Sequence, residues 1–382
     1  MMCHKLIQSL CLLLFLFFIS AAFLNCQPQN SNSSTSGAIP SPVTEPTSPT
    51  TGTETDTETS PETEPNTESE ISGESGETGD DSSVPDVSDT DTEETTEEES
   101  SPGIPYGFWG LNGFHDSEGF LDVQTRFGIT VFQVASESPS WTVNTFLPLI
   151  RESGMKVTLR MTSAPDYSGD FNLEEWKTAL SAWIDSGVQE FIDDGTLIGH
   201  MILDDIYNFS GTDPTAEDLD EMARYSKEIL PGLMTFVRQK ATGMPVPVGG
   251  TYVYLDACVN QYSAYTGFPD GPIEEYVVEQ AATARVLGLG IINGMNIADG
   301  GNGTSGQSGW SSGKFAMSAE EITTYGEALL GVPDLLMFLM WEYDGEEVWS
   351  DGILGSDYFD QAERQEAIYG LGQIAAASGG GS

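Results

Sequence analysis

The chain has 382 residues, with 60 Asp and Glu against 13 Lys and Arg, and a formal net charge of −47 at pH 7. A surface this acidic repels nucleic acid and anionic lipid headgroups, so we expect no nucleic-acid partner. It also disfavours polyanionic glycans, unless a local Arg site overrides the field.

Residues 1–26 form an apolar leader. His4 and Lys5 precede an apolar run from about Leu10 to Leu24, which is the pattern of a secretory signal peptide. The sequence Phe23-Leu-Asn-Cys26 resembles the lipobox of bacterial lipoproteins, so we expect Cys26 to carry lipid and to anchor an exported chain at the cell surface or outer membrane. Ordinary cleavage after Ala22 and an uncleaved apolar anchor remain as alternatives.

Residues 27–102 are rich in Thr, Ser, Pro and acid. They hold 20 acidic residues and no Lys or Arg, and large side chains are almost absent. Because nothing there offsets the entropy lost on ordering the backbone, we expect a disordered acidic linker. Its position directly after Cys26 suggests a stalk that holds the next domain off a membrane; a solubilising spacer is the alternative.

From residue 103 to 376, short apolar runs alternate with amphipathic helical patterns. This order is typical of a parallel sheet with crossover helices. Eight runs in about 275 residues predict the α/β class and a single (β/α)8 TIM barrel, followed by a flexible tail at 377–382. The predicted strands are 106–112, 129–135, 156–162, 198–205, 232–239, 254–262, 289–297 and 335–343.

Helix boundaries are marked by local signals. Asn172 with Glu175, and Ser318 with Glu321, have the spacing of a capping box, while Asp213 followed by Pro predicts an N-cap and a Pro at the first helical position. Glycines 128, 154 and 288 stand where helices should end. Between the fifth and sixth strands, residues 240–253 contain Met-Pro-Val-Pro-Val-Gly-Gly in place of a clear crossover helix.

The sequence predicts no disulfide, metal or cofactor. Cys258 is the single cysteine of the barrel region, and we expect it to be a buried small residue rather than a reactive thiol. No His-x-x-x-His or Cys-x-x-Cys spacing occurs, and no Gly-rich nucleotide loop follows a strand.

Acidic residues stand at two strand ends, where barrel enzymes carry their chemistry. The fourth predicted strand ends in Asp204-Asp205, and neighbours on a strand point to opposite sides, so at most one should face the barrel axis. Glu342 follows the apolar run of the eighth strand, where an acid without a partner or a role costs free energy. As alternatives, the Asp pair caps a turn or binds Arg, and Glu342 pairs with Arg160 or Arg238.

Other strand-end residues are candidates for substrate binding. Trp341 and Trp109 have aromatic faces that stack on sugar rings, although core packing explains Trp109 equally well. Arg160 and Arg238 could bind hydroxyls or a substrate carboxylate, or hold the acids ionised. The Gly-, Ser- and Asn-rich segment 300–313 predicts a long loop over the mouth, as a subsite wall or lid. The remaining candidates are Glu137, Tyr207, Gln261, Asn296 and Asp299, the last also being the substitute for Glu342.

Several short motifs carry a family resemblance across about residues 104–375. They are Asp218-Leu-Asp-Glu-Met-Ala-Arg-Tyr-Ser-Lys227, Tyr254-Leu-Asp-Ala257, Gly288-Leu-Gly290, Asn296 with Asp299-Gly-Gly301, Ala316-Met-Ser318 and Phe338-Leu-Met-Trp341. The chain resembles an uncharacterised family of exported bacterial TIM-barrel proteins, which is similar in turn to the glycoside hydrolase superfamily. In the largest glycosidase clan the acid/base ends strand 4 and a nucleophilic Glu ends strand 7. The resemblance therefore implies an acid at Asp204-Asp205, whereas strand 7 departs from the pattern because Asn293-Gly-Met-Asn296 contains no Glu.

These observations together predict a surface-anchored glycoside hydrolase that cleaves a neutral poly- or oligosaccharide. Hydrolysis needs one protonated and one ionised carboxyl. We assign Asp205 as general acid/base, supported by Asp204, and Glu342 as the second carboxylate. The alternatives are a carbohydrate-binding lipoprotein whose barrel lacks catalysis, and a structural or adhesive surface protein.

Overall fold

The computed structural model describes residues 103–112, 117–162, 167–267, 269–344, 352 and 355–378. The predicted signal peptide, Cys26 and the acidic linker lie outside the described residues, as do residues 379–382 of the predicted tail. Among the helices that are described, none has the length and apolar character needed to cross a membrane.

Eight parallel strands close into a barrel in chain order, which confirms the predicted fold. The first strand pairs with the second through Gly107 and Val131, and with the eighth through Gly107 and Leu339, so the sheet has no free edge. A further parallel pair, 111–112 with 343–344, continues the first and eighth strands outward. The barrel strands are β1 Tyr106–Trp109, β2 Val131–Ala135, β3 Lys156–Arg160, β4 Leu197–Asp204, β5 Met234–Arg238, β6 Ala257–Tyr262, β7 Gly290–Asn296 and β8 Leu335–Trp341.

Helices surround the barrel. A short turn, Pro139–Trp141, and a π-helical segment, Thr142–Phe146, lead directly into the second of them. The α-helices are α1 Ser117–Phe127, α2 Leu147–Ser153, α3 Leu173–Ser181, α4 Gln189–Asp193, α5 Ala216–Ile229, α6 Ile273–Val286, α7 Ala319–Leu330, α8 Gly355–Phe359 and α9 Ala362–Ala377.

Two of the three predicted helix caps form where the sequence places them. Ser318 and Glu321 make a reciprocal capping box, and the Asn172 side chain accepts a hydrogen bond from the backbone N–H of Glu175. The prediction for α5 is wrong by two residues, because Thr215 is the N-cap and makes the capping box with Asp218. Thr215 has the extended backbone that an N-cap requires, and its hydroxyl satisfies the N–H of Asp218.

The predicted absence of a fifth crossover helix is confirmed. Between β5 and β6 the described chain forms only a short 3-10 turn, Ala241–Gly243. The rest of this connection is held from outside by Asp220 of α5, whose carboxylate accepts hydrogen bonds from the backbone N–H groups of Val253, Tyr254 and Leu255. One side chain therefore satisfies backbone donors that a helix would have satisfied itself.

Apolar side chains form two layers, because successive residues of a strand point to opposite faces. Val131, Met201, Phe236 and Val259 pack with others inside the barrel, whereas alternate residues such as Cys258 pack outward against the helices. Cys258 is fully buried and unbridged, and burial raises the pKa of its thiol to about 12. The prediction that Cys258 is buried is confirmed.

The outer layer also contains a buried histidine. His200 on β4 lies between two helices, with Nδ1 2.8 Å from the Ser226 hydroxyl of α5 and its ring stacked on Trp176 of α3. Burial lowers the pKa of His200 to about 3. Between about pH 6.5 and about pH 3, the imidazole is therefore neutral in the folded chain but charged in the unfolded chain.

This histidine should make folding sensitive to acid. Since the unfolded chain binds the proton at about pH 6.5 and the folded chain only near pH 3, its stabilisation is complete above pH 6.5 and is lost as pH falls. Relative to His200→Gln, the wild-type chain should lose about 3 kcal/mol of unfolding free energy between pH 7 and pH 4. Urea denaturation at pH 7, 5 and 4 measures the difference, and parallel losses in the two proteins would contradict the prediction.

Candidate active site

The strand register places polar residues at the carboxyl end of the barrel. Trp109 pairs with Gln133, Ala135 with Arg160, Asp204 with Arg238, and Asn296 with Trp341. Because barrel strands are tilted, side chains at one height come from alternate strands. Two inward-facing layers of residues result at this end of the barrel. The lower layer contains Trp109, Arg160, Arg238 and Gly294. The layer above it, nearer the mouth, contains Ala135, Asp204, Gln261 and Trp341.

An ion-pair cluster links three of these strands. The Arg238 Nε donates to Asp204 Oδ1, and its Nη2 donates to Asp205 Oδ2. Arg160 Nη1 lies 3.5 Å from Asp204 Oδ2. The Asp205 side chain is 46% exposed, against 16–21% for the other three. Asp205 is therefore the member of the cluster that solvent or a ligand reaches best.

The prediction that Asp204 and Asp205 point to opposite sides is wrong, because both carboxylates hold the same arginine. Strand β4 ends at Asp204, and Asp205 has a φ of 47°, in the left-handed region. This conformation ends the alternation of the strand, and Asp is one of the few residue types that tolerate it. The backbone N–H of Asn208 then donates to the Asp205 carbonyl, which closes the turn.

Burial and neighbouring charges shift the pKa values of Asp205 and Arg238. Burial raises the pKa of Asp205, Arg238 opposes the rise and the neighbouring Asp204 adds to it, with a net shift above the ordinary value. Burial lowers the pKa of Arg238, but Asp204 and Asp205 outweigh burial and raise it overall. Arg238 therefore stays charged, while Asp205 is easier to protonate than an exposed aspartate.

Tyr167, which sequence reasoning missed, lies beside this cluster. Its hydroxyl donates to the backbone carbonyl of Asp204 at 2.6 Å, and its ring packs edge-to-face on Phe209. Burial raises its pKa, and Asp204 and Asp205 add to the shift, so the phenol remains protonated. Tyr167 lies in a loop after β3, and no pattern in that loop marks it as a contact of the strand-4 acids.

Unpartnered polar atoms lie inside the barrel below the mouth. Within the described residues, Trp109 Nε1, Thr158 Oγ1, Arg160 Nε and Gln261 Nε2 are buried and have no hydrogen-bond partner in the protein. All four side chains occupy inward-facing strand positions, and Arg238 lies over the Trp109 ring at 5.7 Å. Three of the four atoms are N–H donors, which suits a ligand rich in hydroxyl oxygens.

The end of β8 provides an acid and an aromatic surface. Trp341 is partly buried against the barrel interior, and its ring meets Trp310 edge-to-face at 5.5 Å. Glu342 follows through a cis peptide bond and is half-buried. A Cβ placed on Gly110 would lie 3.5 Å from Glu342 Oε2, so this carboxylate lies beside the end of β1.

The polar candidates after β7 form local structure. The Asn296 side chain accepts a hydrogen bond from the backbone N–H of Asp299. The Asp299 carboxylate is 2% exposed and accepts hydrogen bonds from the backbone N–H and the hydroxyl of Ser311. These contacts fix the Gly-rich loop that the sequence predicts, and Trp310 within that loop was not predicted. The signal in the sequence that could have identified Trp310 is an aromatic residue among Gly, Ser and Asn.

Two further candidates lie at the rim. Glu137 is exposed beyond the end of β2. Tyr207 is 49% exposed, and its hydroxyl donates to the carbonyl of Gly243 in the β5–β6 connection. The contacts above thus join Asp204, Asp205, Arg160, Arg238 and Trp109, whereas Glu137 and Tyr207 lie outside that cluster.

Among the described residues, no group of three or more His, Cys, Asp or Glu could hold a metal ion.

Comparisons with known proteins give fold-level similarities. No protein-family model matches the chain, and no curated protein matches it. Among solved structures, it is similar to a cellulase in an inhibitor complex (TM-score 0.46, 10% identity, 71% of this chain and 92% of that chain). It is also similar to an endocellulase from Pyrococcus horikoshii with cellotetraose (0.45, 13%, 71% and 92%) and to a mannanase catalytic domain from Streptomyces sp. (0.43, 12%, 72% and 87%). All three similarities have TM-scores below 0.5, with 10–13% identity.

Proposed function

We propose that the chain is a glycoside hydrolase that acts on a neutral poly- or oligosaccharide at the carboxyl end of the barrel. The observation that carries the proposal is Asp205, a half-exposed carboxyl whose pKa burial raises. A general acid must hold a proton to give to the glycosidic leaving oxygen, and a raised pKa favours the protonated form of Asp205. Glu342 at the end of β8 is proposed as the second carboxylate.

In the proposed reaction, Asp205 gives its proton to the glycosidic oxygen as the bond breaks. Arg238, which donates to Asp205 and Asp204, then stabilises the carboxylate that forms. Asp204 holds the guanidinium in place, so it acts on the reaction through Arg238. Glu342 attacks the anomeric carbon directly or removes a proton from the attacking water; the separation of the two carboxyls decides which.

Neutral glycans fit this site better than charged ones. Outside the leader and linker, 40 acidic residues face 12 Lys and Arg, and Arg238 is engaged by two carboxylates. A polyanionic substrate would meet repulsion on approach and no free arginine pair. The Trp341 face and the buried N–H donors of Trp109 and Gln261 suit the apolar faces and hydroxyl groups of a neutral sugar.

A carbohydrate-binding protein without catalysis is the second candidate. The observation that favours it is the pairing of both strand-4 acids with Arg238, since a partly buried ion-pair cluster of this kind can have a purely structural role. Binding of a glycan without turnover by the wild-type chain would support this candidate.

The direct test is release of reducing ends from neutral polysaccharides by the purified chain. We expect hydrolysis of at least one of a panel that covers β-glucans, mannans, xylans and α-glucans, with activity lost as pH rises through the raised pKa of Asp205. A variant of the exposed Glu174 on α3, Glu174→Gln, should keep full activity. Absence of hydrolysis across the panel, with the chain folded, would contradict the proposal.

We also propose that the chain is exported and held at a cell surface by lipid on Cys26, on the sequence grounds given above. Cys26→Ser should then release the chain from the membrane pellet to the soluble fraction and abolish incorporation of labelled fatty acid. Hydrolysis per molecule should not change, because the barrel begins after residue 102. Retention of Cys26→Ser in the membrane, at wild-type level, would favour an uncleaved apolar anchor instead.

A further inference from the structure

The loop between β7 and α7 carries a large exposed aromatic ring. Trp310 is 37% exposed, in a segment otherwise rich in Gly, Ser and Asn. Its ring plane stands at 87° to that of Trp341, with 5.5 Å between centroids. The two indoles therefore form two walls at right angles next to the end of β8.

A buried acid holds this loop in position. Asp299 accepts hydrogen bonds from the backbone N–H of Ser311 at 2.8 Å and from its hydroxyl at 2.5 Å, and Lys314 Nζ lies 3.6 Å away. An ionised carboxyl that is 2% exposed is unfavourable unless such contacts compensate for its lost hydration. Because Ser311 directly follows Trp310, the contacts of Asp299 set where the indole stands.

Backbone hydrogen bonds also hold this segment. The backbone N–H of Trp310 donates to the carbonyl of Ala298. The backbone N–H of Ala298 in turn donates to the carbonyl of Trp341 at 3.4 Å. A Cβ on Gly309 would lie 2.5 Å from Asp299 Oδ1, so only glycine permits this close approach. The loop is thus ordered by the protein itself, and a ligand that contacts Trp310 does not have to order it.

The geometry points to Trp310 as the second wall of the saccharide site, against which the sugar unit next to the one on Trp341 packs. Asp299 is then a positioning residue for Trp310 rather than a reacting carboxyl. A rigid indole with a third of its surface open offers a large contact area to the C–H face of a sugar at low entropic cost. It follows that the preferred substrate is an oligo- or polysaccharide and not a monosaccharide glycoside. This inference rests on the proposed function in taking the ligand to be a neutral saccharide.

Calorimetric titration of the full chain with saccharides of two lengths tests this. The probes are cellotetraose, mannotetraose, xylotetraose and maltotetraose, with the matching monosaccharides. For the tetrasaccharide that the wild type binds, Trp310→Ala and Asp299→Asn should each raise Kd by at least about tenfold, and Trp310→Tyr should raise it much less. Kd for the monosaccharide should stay within about twofold in all variants.

A matched control is Tyr369→Ala, which removes a comparably exposed ring on α9, beside Gly128 at the opposite end of the barrel. It should bind the tetrasaccharide like the wild type. If the tetrasaccharide is cleaved, Asp299→Asn should raise KM by a larger factor than it lowers kcat, whereas a general loss of folded protein would lower the apparent kcat and leave KM unchanged.

The outcomes separate this inference from the catalytic proposal. Length-dependent binding that is lost in Trp310→Ala, in a chain that cleaves nothing, supports the second wall and refutes hydrolysis. Cleavage with wild-type binding by Trp310→Ala refutes the second wall and leaves hydrolysis standing. A wild-type chain that binds none of the four tetrasaccharides overturns the inference outright.

Discussion

Asp205→Asn should lower kcat/KM on the hydrolysed glycan by about 10²- to 10⁴-fold, because the amide cannot donate a proton to the leaving oxygen. The fall should be smaller for a nitrophenyl glycoside, whose leaving group needs little protonation. In the wild type, activity requires the protonated carboxyl, so it is present below the pKa of Asp205 and lost above it. The variant should lack this alkaline limb.

Three comparisons keep this result interpretable. Oligosaccharide binding by Asp205→Asn should stay within a few-fold of the wild type, since the amide keeps the shape of the side chain. Asp204→Asn should lower activity less, through a poorly held Arg238. A larger loss in Asp204→Asn than in Asp205→Asn would transfer the role of general acid to Asp204, and activity above a tenth of wild type in Asp205→Asn would contradict its assignment.

Glu342→Gln should reduce turnover by at least about 10³-fold while the glycan still binds, because the second carboxylate acts on the anomeric carbon or on water. The two mechanisms respond differently to an added nucleophile. With Glu342→Ala and sodium azide, a retaining enzyme should regain turnover and form a glycosyl azide of inverted configuration relative to its normal product.

Glu320→Gln provides the control for the loss of one acid, since this residue is exposed on α7 and lines the outer groove between α7 and α9. It should keep wild-type turnover. Wild-type kinetics in Glu342→Gln would show that Glu342 takes no part in the reaction. The second carboxylate would then be another acid at the mouth of the barrel.

Much of the fold is predictable from local sequence, for identifiable reasons. A strand buried on both faces must be apolar along its length, so runs such as 335–340 stand out. Gly128, Gly154 and Gly288 have the positive φ values that helix ends favour, which is why glycine marks those positions. The N-cap of α5 was displaced by two residues because Asp213 and Thr215 both have capping side chains, and only the backbone conformation chooses between them.

The sequence predicts which strand ends carry the candidate site residues, but not which of their side chains contact one another. Strand ends placed Asp204, Arg160 and Arg238 at one end of the barrel, since parallel strands share a carboxyl end. One arginine contacts both Asp204 and Asp205 because the backbone at residue 205 is left-handed. The alternation of side chains along a strand does not predict that conformation. Trp310 reaches Trp341 from 31 positions away through a loop whose path is set by tertiary hydrogen bonds.

The most direct test of the whole account is a crystal structure of Asp205→Asn with the bound oligosaccharide. We expect one glycosidic oxygen within hydrogen-bond reach of residue 205 and the adjacent anomeric carbon facing Glu342. The two side-chain carboxyl and amide carbons should lie about 5–5.5 Å apart for a retaining enzyme, or about 6.5–9.5 Å apart for an inverting one. A saccharide bound away from the carboxyl end of the barrel, or a separation well beyond about 9.5 Å, would contradict it.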